Sequence, residues 1–208
     1  MLARIIVLII ALSSGFASAA PKPAEAAELI GQSFQESMTA LREHHDALRD
    51  NPQLTKELML EILGPHVDFE LLSRLVLAQH WRSATAEERQ RFVAAFRNSL
   101  IDTYAAALAT HMDQVLAVLD SGGLALTVRR LLTGDDPRRV GVRTSLDFGE
   151  RSVAIDFLLI ARGERWLIYD VVIEGISFAA SRRSEFAGLL QRQTLAQVID
   201  RLEARDDR

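Results

Sequence analysis

The feature that most constrains this chain is a change of period. Up to about residue 112 the apolar residues recur at helical spacing, and beyond it the spacing falls to two. The stretches "QVLAVLD" (114–120), "LALTVRRLL" (124–132), "RVGVRTSLDF" (139–148), "SVAIDFLLIA" (152–161) and "RWLIYDVVIEG" (165–175) read as strands. They are separated by "SGG", "GDDP", "GE" and "RGE". Connections that short join antiparallel neighbours, so the strands form a meander. In the fourth stretch Val153, Ile155, Phe157 and Leu159 share one face, with Ala154 and Asp156 on the other. One face is therefore buried and one partly wet. After Gly175 helical spacing returns through Phe186, Leu189 and Leu190. Helices, then a sheet, then helices predict one α+β domain, without internal repeat or linker.

Local signals place the helices. Leu29, Phe34, Met38 and Leu41 have helical spacing, whereas residues 20–27 ("APKPAEAA") read as a short, flexible lead-in. Asn51 caps and Pro52 opens a helix to about Leu63, carrying Leu54, Leu58 and Ile62. Asp68 caps a third, with Leu71, Leu72, Leu75 and Val76. Thr85 and Glu88 form a capping box. Phe92, Phe96, Leu100, Tyr104 and Leu108 then recur every four residues, which predicts one face of a helix to about Thr110. Thr194 and Gln197 start the last helix.

The first 19 residues have the form of a cleaved secretory signal: Arg4, an apolar run from Ile5 to Leu12, and an A-x-A site at Ala17–Ala19. Eight apolar residues fall well short of the roughly 20 that a membrane span needs. No cysteine stands near the site for lipid attachment. Losing Arg4 leaves 24 − 1 = 23 basic residues against 28 acidic ones, a net charge of −5. That balance does not suit a nucleic-acid binder. With no cysteine anywhere, the chain relies on packing, and thiol chemistry is excluded.

Few residues suggest chemistry. Asp170 and Glu174 interrupt an apolar run. Four apart on a strand, they lie roughly 13 Å from each other. Paired glycosidase carboxylates sit about 5 to 9.5 Å apart. A direct acid–base pair fails on that geometry. The alternative is that they accept hydrogen bonds from helix N-termini or backbone at the end of the sheet. Asp120-Ser121-Gly122-Gly123 is similar to a protease nucleophile loop, but reads better as a turn. The histidines, His44, His45, His66, His80 and His111, have no metal-ligand spacing, and no phosphate loop occurs. Three arginine doublets, Arg129–Arg130, Arg138–Arg139 and Arg182–Arg183, suit either anionic headgroups and partners or plain solvated surface.

Two stretches resemble a known family. "Leu75-Val76-Leu77-Ala78-Gln79-His80-Trp81-Arg82-Ser83-Ala84-Thr85", followed by Glu88 and Arg89, is similar to a motif of the MlaC, or toluene-tolerance, family. Trp166, Tyr169, Asp170, Glu174, Gly175, Ile176 and Ser177 resemble that family's second motif. Ala78 departs from it, since the family often has glycine there, and so does the strand-like stretch 124–133. The resemblance implies a curved antiparallel sheet of four to five strands backed by helices, with an apolar lipid pocket between. It implies a periplasmic phospholipid carrier that maintains outer-membrane asymmetry. Its partners would be the outer-membrane MlaA–porin complex and the inner-membrane MlaFEDB transporter. A monomer without enzyme activity, metal or cofactor is expected. The residues expected to line the pocket, from face and period, are Leu75, Val76, Phe92, Phe96, Leu100 and Tyr104 on the helices. On the strands they are Val153, Ile155, Phe157 and Val172, with Ile176 just after. A carrier of another amphiphile, such as a hopanoid, or a non-lipid periplasmic adaptor would share these features.

Overall fold

The computed structural model describes residues 21–206, so the expected signal segment lies outside the described residues. The helices are α1 (Pro23–Asp50), α2 (Pro52–Ile62), α3 (Phe69–Leu77), α4 (Gln79–Ser83), α5 (Ala86–Asp120), α6 (Phe178–Leu190) and α7 (Leu195–Asp206). The strands are β1 (Leu124–Thr133), β2 (Arg139–Phe148), β3 (Arg151–Arg162), β4 (Arg165–Ile173) and β5 (Ile176–Ser177). They pair antiparallel in the order β1-β2-β3-β4-β5, an open meander.

The caps form where the sequence places them. The Asn51 side chain accepts from the amides of Gln53 and Leu54, and Asp68 from that of Leu71. Thr85 and Glu88 exchange both bonds of the capping box. Thr194 and Gln197 do the same. Each motif satisfies amides that the first helical turn would leave unpaired.

Two expectations are corrected. The lead-in is not a loose tail beyond Lys22: α1 starts at Pro23 because Ala26 and Ile30 bury against the sheet, and the Trp166 indole donates to the Lys22 carbonyl at 3.0 Å. The stretch 114–120 is not a strand but the last two turns of α5. Its residues satisfy both periods. Val115 and Leu119 alternate, yet Met112, Val115, Leu116 and Leu119 also form a helical stripe. That stripe wins by packing against Leu41 and Leu48 of α1. The sheet thus begins at β1, the stretch that departs from the family motif.

Three apolar clusters hold these elements. One joins α3, α6 and α7 to the first half of α5, through Val76, Phe92, Phe96, Phe186 and Ile199. A second joins the N-terminal turns of α1 to the sheet, through Val140, Val142, Leu159 and Trp166. The third joins the end of α1, α2 and the end of α5, and reaches Leu124 at the start of β1. Helix α1 therefore crosses the inner face of the sheet diagonally, from β4 to β1.

Candidate functional site

Asp170 and Glu174 have their partners within the fold. Asp170 is 7% exposed. Its Oδ1 accepts from the amides of Val171 and Ala179, each at 2.9 Å, and its Oδ2 accepts from the Ser177 hydroxyl at 2.6 Å. Ser177 in turn caps α6 by accepting from the Ala180 amide. The carboxylate thus ties the end of β4 to the positive N-terminus of α6. Glu174 accepts from the amide of Ala154 with its side chain and donates to the Ala154 carbonyl with its own amide. Both carboxylates brace the strand end, as the second sequence reading expects.

Glu174 (φ 48°) and Gly175 (φ 81°) both take positive φ. That is the requirement of a two-residue hairpin turn, and it folds Ile176 back beside Ile173.

A one-residue bulge decides which side chains line the inner face. Leu159 pairs with Ile168 and Leu158 with Asp170, so Tyr169 is the extra residue. Beyond it every side chain of β4 changes face. Val171 now stands opposite Phe157, and Ile173 opposite Ile155. Val172 pairs with Asp156, on the outer face. The expectation for Val172 is therefore corrected, and Val171 and Ile173 take its place.

The result is an apolar corner, or wedge, at the β5 end of the inner face of the sheet. It holds Val153, Ile155, Phe157 and Val171, all half-buried, with Ile173 and Ile176 exposed. Phe178, the first residue of α6, follows directly. Its ring lies 6.3 Å from that of Tyr104, near the middle of α5. The four-residue spacing of the α5 aromatics explains the rest. Four residues turn a helix about 40° beyond a full circle, so the stripe drifts along its length. Phe92 and Phe96 point away from the sheet, stacked on each other at 5.5 Å and edge-on to Phe186 at 5.3 and 5.5 Å. Val76 and Leu100 share that helical cluster, with Leu75 packed at its margin. Of the expected lining, Val153, Ile155, Phe157 and Ile176 share the inner-face corner, Tyr104 stands beside Phe178 where α6 begins, and Val76, Phe92, Phe96 and Leu100 lie in the helical core.

A second apolar space lies beside the third cluster. It is about 110 Å³, lined by Leu41, Leu58, Met59, Ile62, Leu63 and Leu108. Pockets for drug-sized ligands run to about 300–1,000 Å³. Among the described residues no three His, Cys, Asp or Glu side chains converge as a metal site, and no helix is long and apolar enough to cross a membrane.

A five-stranded antiparallel meander backed by helices, with an apolar corner at one end of its inner face, defines an α+β domain. The chain belongs to the MlaC family, whose family model, "MlaC protein", matches residues 32–204. Toluene tolerance protein ttg2D of Pseudomonas putida is 27% identical over 154 residues, covering 73% of this chain and 66% of that protein, just under two thirds of its length. The intermembrane phospholipid transport system binding protein MlaC of Haemophilus influenzae is 20% identical over 180 residues, 84% of this chain and 79% of that one. Among solved structures, a phospholipid-binding protein from Ralstonia solanacearum, in complex with a phospholipid, matches with a TM-score of 0.72. It is 22% identical and covers 90% of this chain and 98% of its own.

Proposed function

We propose that the mature chain is a periplasmic phospholipid carrier, released by cleavage near Ala19. It moves lipid between the outer and inner membranes and so maintains outer-membrane asymmetry. It performs no reaction of its own. The observation that carries this reading is the inner-face corner of Ile155, Phe157, Val171 and Ile173, which is bulky and apolar yet only partly covered. The relatives' names and the phospholipid bound to the Ralstonia protein support it.

The physics makes a carrier necessary. Two acyl chains of roughly 16 carbons, at about 0.8 kcal/mol per CH₂, cost about 25 kcal/mol to expose to water. Transfer from a bilayer to an apolar wedge is close to neutral. Exchange therefore takes place while docked to a membrane complex that shields the tails: the MlaA–porin complex on one side, the MlaFEDB transporter on the other.

Native mass spectrometry of the mature protein, purified without detergent and followed by lipid extraction, tests the reading. A stoichiometric phospholipid is expected. A sterol-like lipid would change the cargo. A clean empty mass, with no uptake from vesicles, would remove the carrier.

A further inference from the structure

The three most exposed large apolar side chains among the described residues are Ile176 at 67%, Ile173 at 47% and Tyr104 at 43%. All three lie around the junction of β5 and α6. Ile173 pairs with Ile176 across the Glu174–Gly175 turn, and Tyr104 leans on Phe178 two residues further along. An apolar rim of this kind normally excludes charge. Yet Arg182, one turn into α6, sits in it. Its guanidinium carbon lies 5.2 Å from the centre of the Phe178 ring, and Nη1 donates to Glu185 at 2.8 Å. The other face of this junction is Tyr104, whose ring lies 6.3 Å from that of Phe178. The Arg182 side chain is 26% exposed, against 58% for that of Glu185. Burial works against its charge, and the neighbouring Tyr104 and Glu185 outweigh that, holding the guanidinium above its ordinary range.

We infer that Arg182, oriented by Phe178 and Tyr104, is the contact for the phosphate of the bound lipid at the mouth of the wedge. The inference rests on the phospholipid-carrier reading. A lipid whose tails enter between Ile155 and Tyr104 leaves its phosphate at the rim, where Ile173, Ile176 and Phe178 end and water begins. A guanidinium stacked on a ring loses little freedom on binding, and its planar fork matches two phosphate oxygens. The neighbouring Arg183 is exposed and provides an internal control. The bland alternative is that Arg182 only pins α6 to α5 through Tyr104.

The mature protein and three variants, Arg182→Gln, Arg182→Lys and Arg183→Gln, are offered vesicles containing phosphatidylglycerol or diacylglycerol with the same acyl chains. Retained lipid is quantified by mass spectrometry. Arg182→Gln is expected to lower phosphatidylglycerol retention about tenfold, the effect of losing a charge-assisted hydrogen bond. It leaves diacylglycerol unchanged. Arg182→Lys recovers part of the loss, because it keeps the charge without the fork, and Arg183→Gln changes neither lipid. Equal losses of both lipids in Arg182→Gln would make the residue a structural pin, and no loss of either would also overturn the inference. Displacement of phosphatidylglycerol by equimolar glycerol 3-phosphate would show a site for free phosphate esters and overturn the lipid source. If the wild type takes up neither lipid, the carrier reading itself falls, an outcome distinct from an Arg182→Gln variant that still loads fully.

Discussion

Ala78 shows how much one residue carries. It ends α3 with φ 49° and ψ −112°, a backbone conformation that L side chains rarely adopt. A glycine here would avoid that strain. Ala78→Gly is therefore expected to stabilise the protein by about 1 kcal/mol, read as a higher urea midpoint at unchanged slope. Asp170 is the opposite case. Its oxygens have three donors within the fold, one of them the Ala179 amide in the first turn of α6. Asp170→Asn should cost about 1–3 kcal/mol, measured by urea denaturation, while the variant still loads lipid below its melting range. A residue needed only for turnover would show the reverse, intact stability with lost activity. Both carboxylates were legible as braces in the sequence because strand geometry alone rules out their pairing. Their actual donors were not, since Ala179 and Ala154 reach them only through the fold.

Elements differ in how far their boundaries are local. Asn51, Asp68, Thr85 and Thr194 each mark a helix start, because a cap acts on amides two or three residues away. The far end of α5 is another matter. Residues 114–120 suit a strand and a helix equally, and contact with Leu41 and Leu48 settles the choice. Ala117 is exposed within this stretch, so substitution there tests the backbone and little else. Ala117→Gly is expected to cost about 1 kcal/mol, checked by denaturation followed by circular dichroism. A negligible cost would argue against the helix. The first half of α5 is held by the aromatic triad of Phe92, Phe96 and Phe186, together with the Arg91 contacts to Asp200 and Glu203 on α7. Phe92 is fully buried, and Phe92→Ala should lower stability by about 3–5 kcal/mol, read from the thermal or urea midpoint.

At the scale of the whole molecule, α1 runs diagonally and packs on β1, β2 and the start of β4, while at the wedge Ile155 stays half-buried and Ile173 exposed. Filling that corner from outside should stabilise the protein by mass action, so the lipid-loaded form is expected to melt higher than the delipidated one. Ile155→Asp puts a carboxylate where acyl chains would lie, at a desolvation cost of several kcal/mol to the complex. It is expected to abolish lipid retention in a vesicle uptake assay. The empty protein should lose less than about 1 kcal/mol, because Ile155 is only half-buried before lipid enters. Loading that persists in this variant would place the lipid elsewhere. Period and capping, read along the chain, were enough for the α+β class, the meander and most of the element order, because those signals act between residues a few positions apart. They could not reveal that one extra residue at Tyr169 turns Val171 and Ile173 inward and Val172 outward. Nor could they show that the α5 stripe drifts, so that Phe92 is buried against Phe186 while Tyr104 stays exposed beside Phe178. Both depend on how twisted elements meet across long sequence separations, and a linear pattern holds no measure of that rotation.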